Sequence, residues 1–344
     1  MSEAWDRLPI FVGTYTFKHG HIFGESEEDE FGDGVYVVYL QGDGLENRTY
    51  KFTDNSPMLA HEPGVAGKSP VFFRIMSCRN DASKKKLLVA NDHDVTPGAT
   101  VQTFDISADH KISTREQPVS VKMLPVYIGI SLCKRYMTVP SYLGGNSQSF
   151  RLDEDNGHIV SQVADIHHGK TNSSGEILKF VRNSSQNPHR QDATHPHCFI
   201  YVPTFMYSEG NEGSGYPSCS SKCYALAADL GADEVIQFEQ DLDTGAMKEI
   251  GRSSVEQGAG PRHIIFHPSG KWVYVINELH CSISVFEFHS DKCRAGGAFL
   301  SPTPIHSASL LPEGWQEDTA KEKSPLYEDL KKNQPEFIPV RIFS

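Results

Sequence analysis

The stretch GAGPRHIIFHPSGKWVYVINEL (residues 258–279) carries a guanidinium, Arg262, ahead of one apolar run and a carboxylate, Glu278, just after the next. Arginine offers five N–H donors in a fixed fork, which suits an oxyanion or a phosphate. Glutamate and histidine are the usual proton carriers of active sites. His263 and Asn277 flank the pair, and a second group stands upstream: His197 at the start of HCFIYVPTF and Asp229 at the end of CYALAADL. The competing reading is structural, an ion pair that caps a hairpin end at little energetic gain.

Turn counting brings these residues together. With a turn centred near Ser269 and Gly270, antiparallel pairing sets residue 262 opposite about residue 277. Arg262 and Glu278 then emerge at one end of the hairpin. The same count sets Ser69 opposite about Asn91 and Pro125 opposite about Leu143, while His197 opens a strand whose partner closes at Asp229.

The elements that must position them are strands. Short apolar runs recur between Gly, Pro, Asn and Asp: FVGTYT (11–16), GVYVVYL (34–40), KLLVANDH (86–93), RYMTVPSYLGG (135–145), CYALAADLGAD (223–233), KWVYVINELH (271–280) and SISVFEF (282–288). Several share one grammar: an apolar run, a small or polar pair, a turn, then a second strand ending in an aromatic or apolar residue. Runs ending at 91, 141, 229 and 277 lie 50, 88 and 48 residues apart, the middle interval enlarged by an insertion. A four-stranded repeat of that length predicts β-propeller blades, with a β-sandwich as the alternative. In a propeller the first strand of each blade lines the central channel. His197, Asp229, Arg262, His263, Asn277 and Glu278 are therefore expected at one mouth of it.

Composition narrows the class. The chain has 344 residues, 38% of them hydrophobic, and a formal net charge of −12. That charge argues against nucleic acid and anionic membranes as partners. Seven scattered cysteines fit reduced thiols better than a disulfide framework. With no basic and apolar leader at the start and no long apolar run, the expectation is a cytoplasmic protein. His195, His197, Cys198, Cys219 and Cys223 suggest zinc ligands by type. An eight-residue strand would nevertheless separate the histidines from the Cys219/Cys223 end by about 25 Å, so no metal is expected. DHD at 92–94 and HH at 167–168 are lone clusters. An acidic segment (21–33) and a Gly/Ser-rich insertion (207–222) read as exposed loops.

FVGTYT, SYLGG, DLGAD and above all GAGPRHIIFHPSGKWVYVINEL resemble the lactonase family of seven-bladed propellers. That family includes the propeller-type 6-phosphogluconolactonases and the carboxymuconate-lactonising enzymes. The likeness runs from about residue 10 to 314. It implies hydrolysis or formation of a lactone ring on a small-molecule substrate, without metal or organic cofactor. The family's Pro-Arg-His arginine falls on Arg262, its Asn-Glu glutamate on Glu278 and its Pro-His histidine on His197. As catalytic groups, Glu278 or His197 would deprotonate water and Arg262 would hold the oxyanion or a phosphate. His263, Asn277 and Asp229 would bind substrate. Phe199 stands where the family usually repeats a histidine, and no residue after LLPEG matches the arginine of its Ser-Asn-Arg-Gly motif. About five blades of seven are expected in residues 1–311, as an incomplete ring, followed by an irregular tail (312–344). The open edge of such a ring implies a protein partner or self-association. A lactonising or cyclising enzyme and an inactive interaction protein remain as alternatives.

Overall fold

The computed structural model describes residues 8–13, 34–42, 50–52, 58–61, 69–92, 98–183, 186–206 and 221–311. The acidic segment 21–33, residues 207–220 of the insertion and the tail 312–344 lie outside the described residues.

Five antiparallel sheets follow one another along the described residues, each built from consecutive strands. Blade one contains Leu8–Gly13, Val35–Gly42 and an outer edge shared by Tyr50–Phe52 and Met58–Leu59. Blade two runs Pro70–Ser77, Lys85–Asn91 and Thr100–Ile106, with Ile112–Ser113 and Val119–Ser120 on its outer edge. Blade three runs Gly129–Ile130, Tyr136–Ser141, Asn146–Leu152 and Ile159–His167. Blade four runs Pro196–Tyr201, Lys222–Asp229, Glu234–Asp241 and Met247–Ser254. Blade five runs Pro261–Phe266, Trp272–Asn277, Ser282–Glu287 and His306–Ser309. A strand stands at each expected run, residues 14–16 and 93 of two of them lying outside the described residues, and the architecture is an all-β propeller. One short helix, Ser290–Arg294, interrupts blade five.

Proline opens the first strand of blades two, four and five, where its missing N–H costs no ladder bond. One residue later the register slips. Pro70 pairs with Asn91 but Phe72 with Ala90, Pro196 with Asp229 but Cys198 with Ala228, and Pro261 with Asn277 but His263 with Ile276. Val71, His197 and Arg262 are thus bulged, two residues facing one. The observed pairings correct the turn count. The partner of Asn91 is Pro70 rather than Ser69, Pro125 faces Ser141 rather than Leu143, and Asn277 faces Pro261 with Arg262 set aside.

Adjacent blades press their first strands together. A Cβ built on Gly129 would lie 2.2 Å from the Phe199 carbonyl oxygen, so only glycine allows blades three and four that approach. Apolar side chains fill the spaces between sheets. One large core joins Leu88, Val101, Val139, Phe150, Leu226, Val235, Ile264, Val273 and Phe286, all buried. Phe199 belongs to a second core, stacked on Phe238 with ring centroids 5.4 Å apart. The residue that replaces the family's second histidine is therefore packing, not chemistry. Among the described residues, blade five is covered on one face only. Ile264, Val273, Val275 and Phe286 are buried toward blade four, whereas Ile265 is 65% and Ile276 44% exposed on the other face. Among the described residues no helix is long and apolar enough to cross a membrane.

Candidate active site

Glu278 sits immediately after the second strand of blade five, where its N–H bonds to the Gly260 carbonyl at 2.8 Å. Gly260 has φ +64°, and a Cβ there would strike Leu279 at 2.6 Å. Glycine is what allows the Gly-Pro-Arg turn to close on the Glu278 backbone.

Three cations or potential cations surround the Glu278 carboxylate. Arg190 Nη2 donates to Oε1 at 2.9 Å. Arg262 Nε stands 3.3 Å from Oε2, and His197 Nε2 stands 3.8 Å from the same oxygen. Oε2 accepts no hydrogen bond among the described residues. It is the oxygen left to accept a proton, and loose contacts of this kind are common in active sites without substrate. The rings of His197 and His263 meet edge to face at 5.5 Å, and Tyr142 contacts His197 at 5.7 Å. The structure thus brings Arg262, His197, His263 and Glu278 together.

Asp229 and Asn277 stand behind them. Asp229 is fully buried, and its Oδ1 accepts from the His195 N–H at 2.8 Å and the Ala232 N–H at 3.0 Å. Its Oδ2 lies 3.4 Å from His168 Nδ1, and His168 Nε2 lies 2.9 Å from Ser147 Oγ. This is the connectivity of a Ser–His–Asp triad. Yet His168 and Asp229 are 0% exposed and Ser147 is equally buried, so no substrate reaches the hydroxyl. The chain of contacts holds the His195 segment in place instead. Asn277, 1% exposed, spends its amide N–H groups on Ser282 and Ser284 at 3.0 and 2.9 Å. Both are buried behind the cluster. They position the strand ends that carry His197 and Glu278.

Two residues of the site were not singled out from the sequence. Arg190 comes from the loop ahead of blade four, a region without strand periodicity. Its Nε donates to the Tyr142 hydroxyl at 3.0 Å, and its guanidinium stands 5.8 Å from the centre of that ring. Burial pushes the Tyr142 hydroxyl above the usual phenol range, so it stays protonated. Asp233 is the second. Its Oδ1 takes Gly260 N–H at 2.9 Å and Gln191 Nε2 at 2.8 Å, and its Oδ2 takes Gly258 N–H at 2.8 Å and Gln186 Nε2 at 2.9 Å. One buried carboxylate thereby ties the Arg190 loop to the Arg262 turn. The DLGAD motif was the available signal, a short acidic turn that follows a strand.

No group of three or more His, Cys, Asp or Glu side chains among the described residues is arranged to hold a metal ion. Cys198 pairs opposite Ala228, while Cys223 lies at the far end of that same partner strand. An apolar groove lined by Ile200, Pro203, Phe205, Ile265, Phe266 and Pro268 lies along the first strands of blades four and five, and it offers no titratable group.

The comparisons with known proteins agree with this architecture. A 6-phosphogluconolactonase of Bacillus subtilis is 28% identical over 166 residues, 48% of this chain and 38% of that protein. An uncharacterized protein of Staphylococcus aureus is 26% identical over 166 residues, 48% of this chain and 39% of its own length. The matches thus cover well under half of the curated relatives. Among solved structures, a protein from Lactobacillus plantarum superposes with a TM-score of 0.62 at 17% identity, covering 90% of this chain and 69% of that one. The periplasmic gluconolactonase of Pseudomonas aeruginosa does so with a TM-score of 0.56 at 18% identity, covering 90% and 70%. Those two likenesses concern the fold alone. Residues 35–209 and 218–323 match the family described as Lactonase, 7-bladed beta-propeller, and the chain belongs to that family.

Proposed function

We propose that the cluster around Glu278 hydrolyses a sugar lactone to its open-chain acid, in the manner of a 6-phosphogluconolactonase. The observation that carries this reading is the Glu278 Oε2 oxygen, which among the described residues accepts no hydrogen bond yet stands 3.3 Å from Arg262 Nε and 3.8 Å from His197 Nε2.

In this reading Glu278 Oε2 takes a proton from water as the water oxygen attacks the lactone carbonyl. The carbonyl π electrons move onto oxygen, and the Arg262 guanidinium, already at the mouth, meets that developing charge. As the tetrahedral intermediate collapses, the bond from the carbonyl carbon to the ring oxygen breaks. The proton held on Glu278, or one carried by His197, passes to the departing alkoxide, and the chain opens as a hydroxy acid. His263 lies within ring contact of His197 and is assigned to the sugar hydroxyls. No metal or organic cofactor enters these steps. The family membership and the name of the Bacillus subtilis relative support the lactone as the substrate class.

The test is formation of 6-phosphogluconate from its lactone by purified protein, measured above spontaneous hydrolysis. Glu278→Gln and Arg262→Ala are each expected to remove about 10²–10³-fold of the excess rate while keeping the wild-type circular dichroism. Folded wild-type protein with no excess rate would sink the proposal.

A further inference from the structure

We propose that residues 337–343, FIPVRIF, pack against the uncovered face of blade five and close the apolar surface that its strands leave bare. In place of the outside partner or second copy that an open edge implies, the occupant is a segment of the same chain. The inference does not depend on the lactonase reading.

Register fixes which side chains share the bare face. Ile265 pairs with Tyr274, Tyr274 with Val285, and Ile276 with Ile283. Their neighbours Ile264, Val273, Val275 and Phe286 point the other way and are buried. Because side chains alternate across a strand, Ile265, Tyr274, Ile276, Ile283 and Val285 form one apolar patch. None of the five is buried: Ile265 and Ile276 are exposed, and the other three are half-buried. Through Ile265 the patch runs on into the groove beside blade four, where Phe205 is 59% exposed. An apolar surface of this breadth marks a docking site for another apolar element.

Size decides between occupants. Strands of six residues run about 20 Å and four strands side by side span about 19 Å, so the face offers about 400 Å². Two copies stacked face to face would bury only about 800 Å², below the roughly 1,200–2,000 Å² of a stable interface. Residues 312–344 lie outside the described residues, but the point where they join the fold does not. The chain leaves blade five through its outer strand, His306–Ser309, and the Leu310 N–H bonds to the Cys281 carbonyl at 2.8 Å. Residues 312–336 reach as far as about 80 Å when extended, several times the width of the face. A tether to the same sheet sets a local concentration of about millimolar, which a free second copy does not match. Within the segment, Ile338, Val340 and Ile342 alternate with Pro339 and Arg341, so an extended backbone presents three aliphatic side chains on one side. Such a segment spans about 23 Å, the length of the face. Pro339 donates no N–H, which suits a segment laid on a face rather than one added to the ladder.

A photoreactive phenylalanine analogue in place of Phe343 tests the contact in the full chain. Irradiation is expected to give a monomeric product in which the peptide carrying residues 337–344 is joined to one from residues 261–287, as read by mass spectrometry. Ile265→Lys and Ile276→Lys, both at exposed positions, are expected to cut that product about tenfold, as is Val340→Asp. If a face variant does not fold, Val340→Asp makes the same comparison without touching a blade. Cross-links to other blades, no product from folded protein, or a yield that none of the three variants changes overturns the inference. A product that joins two molecules and is lost on dilution overturns it in favour of a second copy. Lactone turnover is a separate readout, and its absence from protein that gives the intramolecular product would remove the hydrolytic reading alone.

Discussion

His197 and Arg262 occupy the same backbone position in consecutive blades: each is the bulged residue directly after the proline that opens a first strand. The ladder slips at that point, so each side chain is released from the alternation that would otherwise send it into a core. The two bulges deliver a histidine and a guanidinium to one carboxylate, Glu278 Oε2, at 3.8 and 3.3 Å.

His197→Asn separates chemistry from packing at this position. The side chain is nearly buried, but the bulge leaves it outside the paired register of the strand. Turnover of the lactone is expected to fall by about 10²-fold. Stability is expected to fall by no more than about 1–2 kcal/mol. Paired kinetic and urea-unfolding measurements would show it. A large stability loss with unchanged turnover per folded molecule would mean that His197 is a structural histidine.

Asp229→Ala should do the opposite. It strands the His195 and Ala232 N–H groups and leaves His168 facing an empty buried space. A loss of about 3–5 kcal/mol is expected, as for one partner removed from a buried charged network. Urea unfolding reports it directly, and a change under about 1 kcal/mol would contradict the role assigned here.

Gly231→Ala tests whether the Arg190 loop must sit where it does. An added Cβ would lie 1.8 Å from the Ala193 carbonyl oxygen and 2.9 Å from His195 Cδ2. The backbone of the loop has to move, at a cost of about 1–3 kcal/mol. Lactone turnover is expected to drop although Gly231 itself touches no substrate. Unchanged turnover in a destabilised variant would show that the loop position is not critical.

Alkaline pH should weaken the fold. Burial raises the hydroxyl pKa of Tyr127, Tyr136, Tyr142, Tyr201 and Tyr224, the last to about 12. In the unfolded chain these phenols ionise near the ordinary value of 10.0. Because the folded values are raised, the contribution is fully present below pH 10 and is lost as pH climbs through the folded values. Melting temperature is expected to fall between about pH 10 and 12, with part of the tyrosine absorbance near 295 nm titrating only on unfolding. A flat melting curve over that range would count against the burial of these rings.

The thiols give a simpler readout. Burial raises Cys78, Cys198, Cys223 and Cys293, with Cys198 near 12, whereas Cys281 is exposed. At pH 8 a thiol reagent should label Cys281 well ahead of those four. Mass spectrometry of the labelled peptides would decide it.

The strands and the pairing of Arg262 with Glu278 were legible because both follow from local signals: period-2 apolar runs, a Pro-Ser-Gly turn and a count across it. Asn277 and Asp229 were read as substrate groups because they stand at the right strand ends. Pairing alone does not say whether a side chain at such an end faces the mouth or the neighbouring strand. Arg190 was illegible for a different reason. It lies 88 residues from Glu278 on a segment with neither repeat nor alternation, so only the tertiary fold brings the two together. Asp233 combines both cases, a visible turn residue whose partners lie on two distant loops.

The bulge has a consequence for how such a site changes over time. Val71, His197 and Arg262 hold one backbone slot in three blades, filled by an aliphatic group, an imidazole and a guanidinium without altering the strand pairing around it. The slot is a socket whose occupant is chosen independently of the scaffold. In blade two its aliphatic occupant packs against the large core, while in blades four and five the same slot presents an imidazole and a guanidinium to Glu278, so one backbone position serves packing in one blade and chemistry in its neighbours.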